Sequence, residues 1–128
     1  MHMAEMIFPY ISYPLIPVQF CCGERKTPVI EALIDSGGDS IVIPRAIAQY
    51  LGSKMEKTDG AKTAGGITTL SKTRLDMIIG DGKAIYEDID VFIVDSDDIP
   101  VLLGRTPLFD DYEITFNKKK SKIILKEV

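Results

Sequence analysis

The sequence is poor in the residues that build metal sites and disulfide frameworks. Its 128 residues include one histidine and two cysteines. Cys21 and Cys22 are adjacent, and neighbours in an extended strand point to opposite faces, so a disulfide between them would be strained. His2 alone, without a C-x-x-C spacing, leaves too few ligands for a structural zinc ion. We therefore expect no metal, no other cofactor, no disulfide framework and a reducing, cytoplasmic compartment.

The chain also lacks a long hydrophobic run and a surplus of positive charge. Three prolines interrupt the apolar stretch from Ile7 to Phe20, which excludes both a signal-peptide core and a membrane span. The formal net charge is −4, whereas phosphate binding needs a clustered basic face. The one basic run, Lys118 to Lys120, is predicted to be a solvated hairpin turn. Neither a membrane nor a nucleic acid is an expected partner.

A single domain accounts for the whole sequence. A chain of 128 residues can bury one hydrophobic core but is too short for two lobes. No repeat or linker divides it, so we assign one domain to residues 1–128, with Met1 to Met3 read as the remnant of an expression tag and excluded from fold reasoning. Most segments alternate between apolar and polar residues with a period of two, which predicts a mainly β protein.

Two hairpins are evident in the alternation. The residues before the turn at Gly80 to Gly82 alternate, and Ile85 to Val94 returns as a second strand. The segment from Tyr112 to Asn117 alternates in the same way, and Ile123 and Leu125 repeat the pattern after the lysine turn. The second hairpin therefore closes the C-terminal part of the chain.

Two short helices are predicted between the strands. The first spans Arg45 to Leu51, where Pro44 suits a helix start and Gly52 suits a helix stop. The second spans Thr106 to Asp110, with Thr106 as its N-cap.

The acidic cluster of Asp95, Asp97 and Asp98 has two interpretations. Alternate carboxylates could converge on a calcium ion, but the cluster lacks the glycine and the distal glutamate of an EF-hand loop. A solvated loop before Pro100 is the simpler interpretation.

The most informative feature is a pair of motifs that follow apolar segments. The run Val29 to Ile34 predicts a strand buried on both faces, and Asp35-Ser36-Gly37 follows it directly. Later in the chain, Val101 to Leu103 leads into Gly104-Arg105. An Asp-Ser-Gly triplet alone is a weak signal, because all three residues are common in turns. The two motifs together, in this order, resemble the retropepsin-like, retroviral-type aspartic proteases.

This resemblance implies a closed acid-protease-type β barrel, with one short helix after the Asp-Ser-Gly strand and one after Gly-Arg. It also implies hydrolysis of peptide bonds by a water held between two carboxylates that share a proton. No second Asp-Ser/Thr-Gly occurs in the chain, so the second carboxylate must come from another copy. A twofold homodimer places the same residue on either side of its axis.

The resemblance further implies the roles of individual residues. Asp35 would activate the water, the Ser36 hydroxyl would bond across the dimer beneath the carboxylates, and the Gly37 amide would donate to the carboxylate. Gly38 and Asp39 would contact substrate. Here the sequence departs from the retroviral pattern Asp-Thr-Gly-Ala-Asp by having serine and glycine at its second and fourth positions.

The same resemblance assigns support and flap residues. Gly104 and Arg105 would support the site, with Arg105 paired to Asp39. Gly65, Gly66 and Ile67 stand where the family carries the flap that covers substrate, and a glycine tip can open and close. An ordinary hairpin turn explains the two glycines equally well.

We therefore predict a homodimeric aspartic endopeptidase that acts on a peptide or protein substrate. Interleaved terminal strands form the dimer in retroviral relatives, and the corresponding segments here are Ile7 to Tyr13 and Ile123 to Val128. The alternative is a non-catalytic module that binds peptides or only dimerises, although such a module has no physical reason to keep Asp35-Ser36-Gly37 intact. A structural β domain within a larger assembly is a third, weaker hypothesis.

Overall fold

The computed structural model describes residues 5–58 and 71–128. Within these residues the chain forms eleven strands and two short helices, as the predominantly β pattern predicts. In chain order they are β1 (Glu5–Pro9), β2 (Leu15–Cys22), β3 (Arg25–Lys26), β4 (Ile30–Ile34), β5 (Ile41–Pro44), α1 (Arg45–Leu51), β6 (Glu56–Lys57), β7 (Ser71–Ile79), β8 (Ala84–Val94), β9 (Val101–Leu103), α2 (Leu108–Asp111), β10 (Tyr112–Asn117) and β11 (Lys122–Glu127).

Six of the strands close into a barrel. They follow the order β2-β4-β9-β5-β8-β7, and β7 then pairs back to β2 from Val18↔Ile79 to Cys21↔Asp76. The short strand β3 pairs with β2, and the short strand β6 pairs with β7. Closure removes the free edges that an open sheet of this size would expose. The predicted closed barrel is therefore confirmed.

The alternating pattern of the strands decides which side chains fill the barrel. On β2, Ile16, Val18 and Phe20 are buried, and the residues between them are partly exposed. The prediction that β4 is buried on both faces is wrong. Ala32 and Ile34 point into the main core. On the other face Glu31 is exposed, and Leu33 is only partly buried, against a smaller cluster of Val42, Val94 and Leu102.

A second sheet contains both terminal strands. The C-terminal hairpin of β10 and β11 is confirmed, and β1 pairs antiparallel with the other edge of β11. The two segments expected to form dimer contacts thus meet within one chain, from Glu5↔Lys126 to Pro9↔Lys122. Met6, Phe8, Ile123 and Leu125 join the main core. The three-stranded sheet is thereby packed against the barrel.

The structure confirms helix α1 over Arg45–Leu51. Gly52 ends it in the left-handed conformation, with φ 65°, and donates its amide to Ala48 and Gln49. Pro44 offers no capping side chain, and Asp97 accepts the Ala46 N–H at 3.4 Å. The acidic loop therefore contacts the start of α1. Among the described residues, no three His, Cys, Asp or Glu side chains converge to hold a metal ion.

Helix α2 begins two residues later than predicted. It spans Leu108–Asp111, its N-cap is Pro107, and no side chain caps it, so the expected cap at Thr106 is wrong. The Thr106 amide instead donates to Asp39 O at 3.0 Å, which holds this residue in the preceding loop. No helix in the described part of the chain has the length and apolarity to cross a membrane.

One contact of α2 predicts how stability depends on pH. The half-buried Tyr86 hydroxyl donates to Asp111 Oδ2 at 2.7 Å, and burial followed by this hydrogen bond raises the pKa of Tyr86 above its usual value near 10. The folded state therefore binds the phenolic proton more tightly than the unfolded state. The resulting stabilisation is complete below about pH 10 and is lost as the pH rises further.

We expect the free energy of unfolding to fall between about pH 10 and pH 11, with a shallower fall in Tyr86→Phe. Urea unfolding at several pH values measures both slopes. Burial also raises the pKa of Tyr112, so part of the fall should persist in the variant. Tyr50→Phe changes an exposed tyrosine on α1 and serves as the control. Equal slopes in wild type and Tyr86→Phe would contradict the assignment.

Candidate active site

The barrel brings the Asp35-Ser36-Gly37 and Gly104-Arg105 motifs to the same end of two neighbouring strands. Strands β4 and β9 are parallel neighbours with Ile34 opposite Leu103, so both chain segments leave the barrel side by side. The Asp35 amide then donates to Leu103 O at 2.9 Å and continues the ladder by one residue. Residues 35–39 and 104–105 are thereby placed against each other.

A tight turn orients the Asp35 carboxylate. The Gly37 amide donates to Asp35 Oδ1 at 3.1 Å, and the Gly38 amide donates to Asp35 O at 3.2 Å. The Asp35 side chain is partly buried, whereas Ser36 and Gly37 are exposed. The turn holds the Asp35 carboxylate in place through the Gly37 amide, and the Ser36 hydroxyl is exposed.

Asp39 and Arg105 form the predicted ion pair, between Arg105 Nη2 and Asp39 Oδ1. Backbone bonds reinforce it, because Arg105 N–H donates to Gly38 O at 2.9 Å and Thr106 N–H donates to Asp39 O at 3.0 Å. Arg105 Nε also reaches Gly38 O at 3.4 Å. The two motifs are thus joined by main chain and side chain together.

Gly104 lies where any side chain would collide with the backbone. A Cβ built on it would stand 2.4 Å from Ser40 O and 2.5 Å from Ser40 N. The Gly104 amide donates to Ser40 O at 3.1 Å, which draws the two segments together. Glycine is therefore required here by close approach of two backbones.

The energetic weight of the Asp39–Arg105 side-chain pair should be small. Both side chains are more than half exposed, and exposed ion pairs contribute about 0 to 1 kcal/mol. We expect Arg105→Ala to lower the free energy of unfolding by about 1 kcal/mol or less, because the backbone bonds remain. Urea denaturation measures this change, and Arg105→Lys separates charge from the guanidinium geometry. A loss above about 2 kcal/mol would show that the pair matters more than its exposure indicates.

The structure therefore brings together most of the residues singled out from the sequence. Asp35, Ser36, Gly37, Gly38 and Asp39 form one turn against Gly104 and Arg105. The flap residues Gly65, Gly66 and Ile67 lie outside the described residues.

A charged cluster beside this turn was missed in the sequence. Arg74 on β7 donates to Asp88 at 3.1 and 3.0 Å and to Asp90 at 3.1 Å, and the hydrogen bond from Arg74 holds the pKa of Asp88 below its usual value. These residues line a cleft of about 380 Å³ together with Ser40 and Thr106. Two acids at alternate positions opposite an arginine are a sequence pattern that indicates such a cluster. A bulge on β8 at Glu87 and Asp88 shifts the pairing with β7, so the register could not be predicted.

Two contacts of the loop between β1 and β2 were also missed. Pro14 O accepts the Ile34 amide at 3.0 Å, so the loop between β1 and β2 borders the strand that ends at Asp35. Lys118 is exposed in the predicted hairpin turn, and its Nζ bonds to Ile11 O and lies 4.4 Å from the centre of the Tyr10 ring. No local pattern in the sequence indicates either contact.

Comparisons with solved structures show the same fold. A retropepsin-like aspartic protease from Rickettsia conorii matches with a TM-score of 0.69 and 22% identity, over 98% of this chain and 92% of that chain. EIAV protease, solved in complex with the inhibitor HBY-793, matches with a TM-score of 0.58 and 20% identity, over 77% of this chain and 88% of that one. No curated protein matches the sequence.

The family comparison is made on sequence. The family model described as "gag-polyprotein putative aspartyl protease" matches residues 25–108, well over half of the chain. This range contains both the Asp35-Ser36-Gly37 turn and Gly104-Arg105, which the barrel holds side by side. The chain thus belongs to the retropepsin-like family of aspartic proteases.

Proposed function

We propose that the chain is an aspartic endopeptidase that works as a homodimer, with Asp35 of each copy holding one catalytic water. The observation that carries this proposal is the Asp35 turn. Its carboxylate stands at the end of a strand, receives the Gly37 amide at 3.1 Å, and is partly accessible. The sequence contains one Asp-Ser/Thr-Gly triplet, and peptide hydrolysis by this mechanism needs two carboxylates.

The chemistry follows from bringing two such turns together. Two carboxylates about 3 Å apart cannot both ionise cheaply, so the pair shares one proton. The ionised Asp35 takes a proton from water as the water attacks the peptide carbonyl, and the protonated Asp35 donates to the carbonyl oxygen. The Asp35 that took the proton from water passes it to the leaving amine as the carbon–nitrogen bond breaks. One hydroxyl of the tetrahedral intermediate returns its proton to the other Asp35, so the pair ends with one shared proton as it began.

The neighbouring residues supply support and substrate contacts. We assign to Ser36 a hydroxyl bond across the dimer and to the Gly37 amide the orientation of the carboxylate. Gly38 and the exposed Asp39 carboxylate border the position where a peptide would lie, and Arg105 and Gly104 fix them from behind. Gly65, Gly66 and Ile67 are assigned to the flap on sequence grounds.

Cleavage of a mixed peptide pool across a pH series tests the function. We expect cleavage with a bell-shaped pH profile, because activity requires one protonated and one ionised Asp35. Sequencing of the products defines the side-chain preference on either side of the cut. A folded dimer that cleaves nothing at any pH would overturn the proposal and favour the non-catalytic module.

A further inference from the structure

The loop between β1 and β2, residues 10–14, borders the candidate active site. Pro14 O accepts the amide of Ile34 at 3.0 Å, and Leu15 pairs with Leu33 on β4. Asp35 is the next residue of that strand. The loop is therefore the immediate neighbour of the catalytic turn on the β2 side.

This loop presents large apolar side chains to solvent. Ile11 is 79% exposed and Tyr13 is 67% exposed. Beside them runs a mostly apolar groove of about 380 Å³, which the loop lines together with Phe8, Pro9, Leu15, Pro17 and the exposed Glu31. Exposed apolar side chains grouped around an apolar groove are typical of an interaction surface.

The loop is held in place, although the side chains of Ile11 and Tyr13 are exposed. The Tyr10 amide donates to Ser121 O at 3.0 Å, and the Leu15 amide donates to Tyr13 O at 2.8 Å. Lys118 bonds to Ile11 O and stacks its ammonium group over the Tyr10 ring. A surface fixed in this way loses little conformational entropy when a partner covers it.

The terminal strands are not available to interleave with those of a partner chain, as the terminal strands of retroviral relatives do. Strand β11 is the central strand of its sheet, with β1 on one edge and β10 on the other. Both of its hydrogen-bonding edges are therefore satisfied within the chain. Interleaving β11 with a partner would first require breaking the β1–β11 ladder of five residue pairs.

The catalytic geometry identifies the occupant of the loop surface. Two Asp35 carboxylates must approach to about 3 Å, so the twofold axis must pass beside Asp35. A loop hydrogen-bonded to Ile34 must then lie at that axis as well. A second copy of this chain is the partner that both the incomplete site and the apolar surface require.

We propose that the dimer interface is built on the β1–β2 loop, with Ile11 and Tyr13 of each copy packed against the groove of the other. Lys118 is a positioning residue that holds the loop in its docking shape. This inference rests on the proposed function, because it takes the pairing of two Asp35 residues as its geometric requirement. It places the interface in a loop, while the terminal strands stay paired within each chain.

Tyr13→Asp tests the interface directly. In an isologous dimer it would bring two carboxylates to the apolar contact, and we expect the dimer dissociation constant to rise at least about 30-fold. Sedimentation velocity over a concentration series measures this constant, with Ile11→Asp as an independent second variant. Tyr50→Asp is the matched control, since Tyr50 is 57% exposed on α1 and should leave the constant unchanged.

Lys118→Ala tests the positioning role. We expect a weaker dimer and a loss of specific activity at low protein concentration that is regained when the concentration is raised. Lys119→Ala, the exposed neighbour in the same turn, is the control. A purely structural effect would lower the melting temperature and the activity equally at every protein concentration.

Three outcomes would overturn this inference. Tyr13→Asp could dimerise as tightly as Tyr50→Asp, it could stay dimeric but show a raised KM because the groove binds substrate, or wild type could cleave as a monomer. Failure of the proposed function is distinguishable from these. A wild-type dimer that dissociates in Tyr13→Asp but cleaves no peptide at any pH would support the interface and reject the protease.

Discussion

Asp35→Asn is expected to abolish peptide hydrolysis while the chain remains folded and dimeric. The amide oxygen of asparagine can still accept the Gly37 N–H that now bonds to Asp35 Oδ1 at 3.1 Å, so the turn should persist. Asparagine neither takes a proton from water nor donates one as an acid. Because every copy carries the substitution, both catalytic carboxylates disappear, and kcat/KM should fall by at least about 10⁴-fold.

A fluorogenic peptide chosen from the peptide-pool cleavage products measures this loss, and thermal unfolding shows whether the variant keeps its fold. Asp81→Asn is the matched control, because Asp81 lies in the exposed β7–β8 turn with φ 59°, a conformation that asparagine tolerates. Wild-type rates in Asp35→Asn would rule out the paired-carboxylate mechanism.

A mixture of wild type and Asp35→Asn tests whether an active site needs two chains. Wild-type chain equilibrated with an excess of Asp35→Asn forms mixed dimers, each with a single Asp35 carboxylate. We expect these to be inactive, so activity per wild-type chain should fall as the variant is added. Activity that stays proportional to the amount of wild-type chain would show that one chain carries a complete site.

Gly104→Ala is expected to cause a large loss of stability although it adds a single methyl group. The new Cβ would stand 2.4 Å from Ser40 O and 2.5 Å from Ser40 N, which are backbone atoms and cannot rotate away. Relief requires β9 and the segment around Ser40 to separate, which would break the bond from Gly104 N–H to Ser40 O. We expect the free energy of unfolding to fall by more than about 3 kcal/mol.

Urea unfolding of wild type and variant measures this difference. Gly82→Ala is an informative control, because a Cβ there meets nothing within 4 Å while φ is +86°. Its cost comes from backbone conformation alone and should be about 1 to 2 kcal/mol. If Gly104→Ala were as stable as wild type, the close approach of these two backbone segments would not be needed for folding.

Activity should respond to Gly104→Ala even in conditions where the variant folds. The displaced segment carries the Arg105 amide, which bonds to Gly38 O at 2.9 Å and so supports the Asp35 turn. A small displacement of catalytic groups is costly, since misplacement by about 1 Å can slow a reaction by about 100-fold. Kinetics below the unfolding transition would separate this effect from global instability.

Local sequence patterns predicted the elements whose geometry depends on neighbours in the chain. Helix α1 has the predicted bounds, because Pro44 and Gly52 impose a start and a stop through their own backbone preferences. Both hairpins are present because period-two alternation and turn residues are local properties. The pairing of Asp39 with Arg105 was available only through the family resemblance, since 66 positions separate them.

Contacts between segments far apart in the chain could not be predicted from local sequence patterns. Asp97 contacts the start of α1 across 51 positions, and Lys118 reaches the β1–β2 loop across 107 positions. The register of β7 against β8 shifts between Leu75 and Met77, which brings Asp88 onto Arg74. Each contact depends on how strands align after the barrel closes, and no short window of sequence encodes that alignment.

The sequence by itself determined the family, the mainly β character and the single Asp-Ser-Gly turn. Strand alternation and turn residues are local properties of the chain, and the order of the two motifs can be read directly from the sequence. Only the tertiary structure decided that β4 has one buried face, that β1 and β11 pair within one chain, and that an apolar loop lies beside Asp35. These features arise from barrel closure and strand register, which are properties of the whole chain.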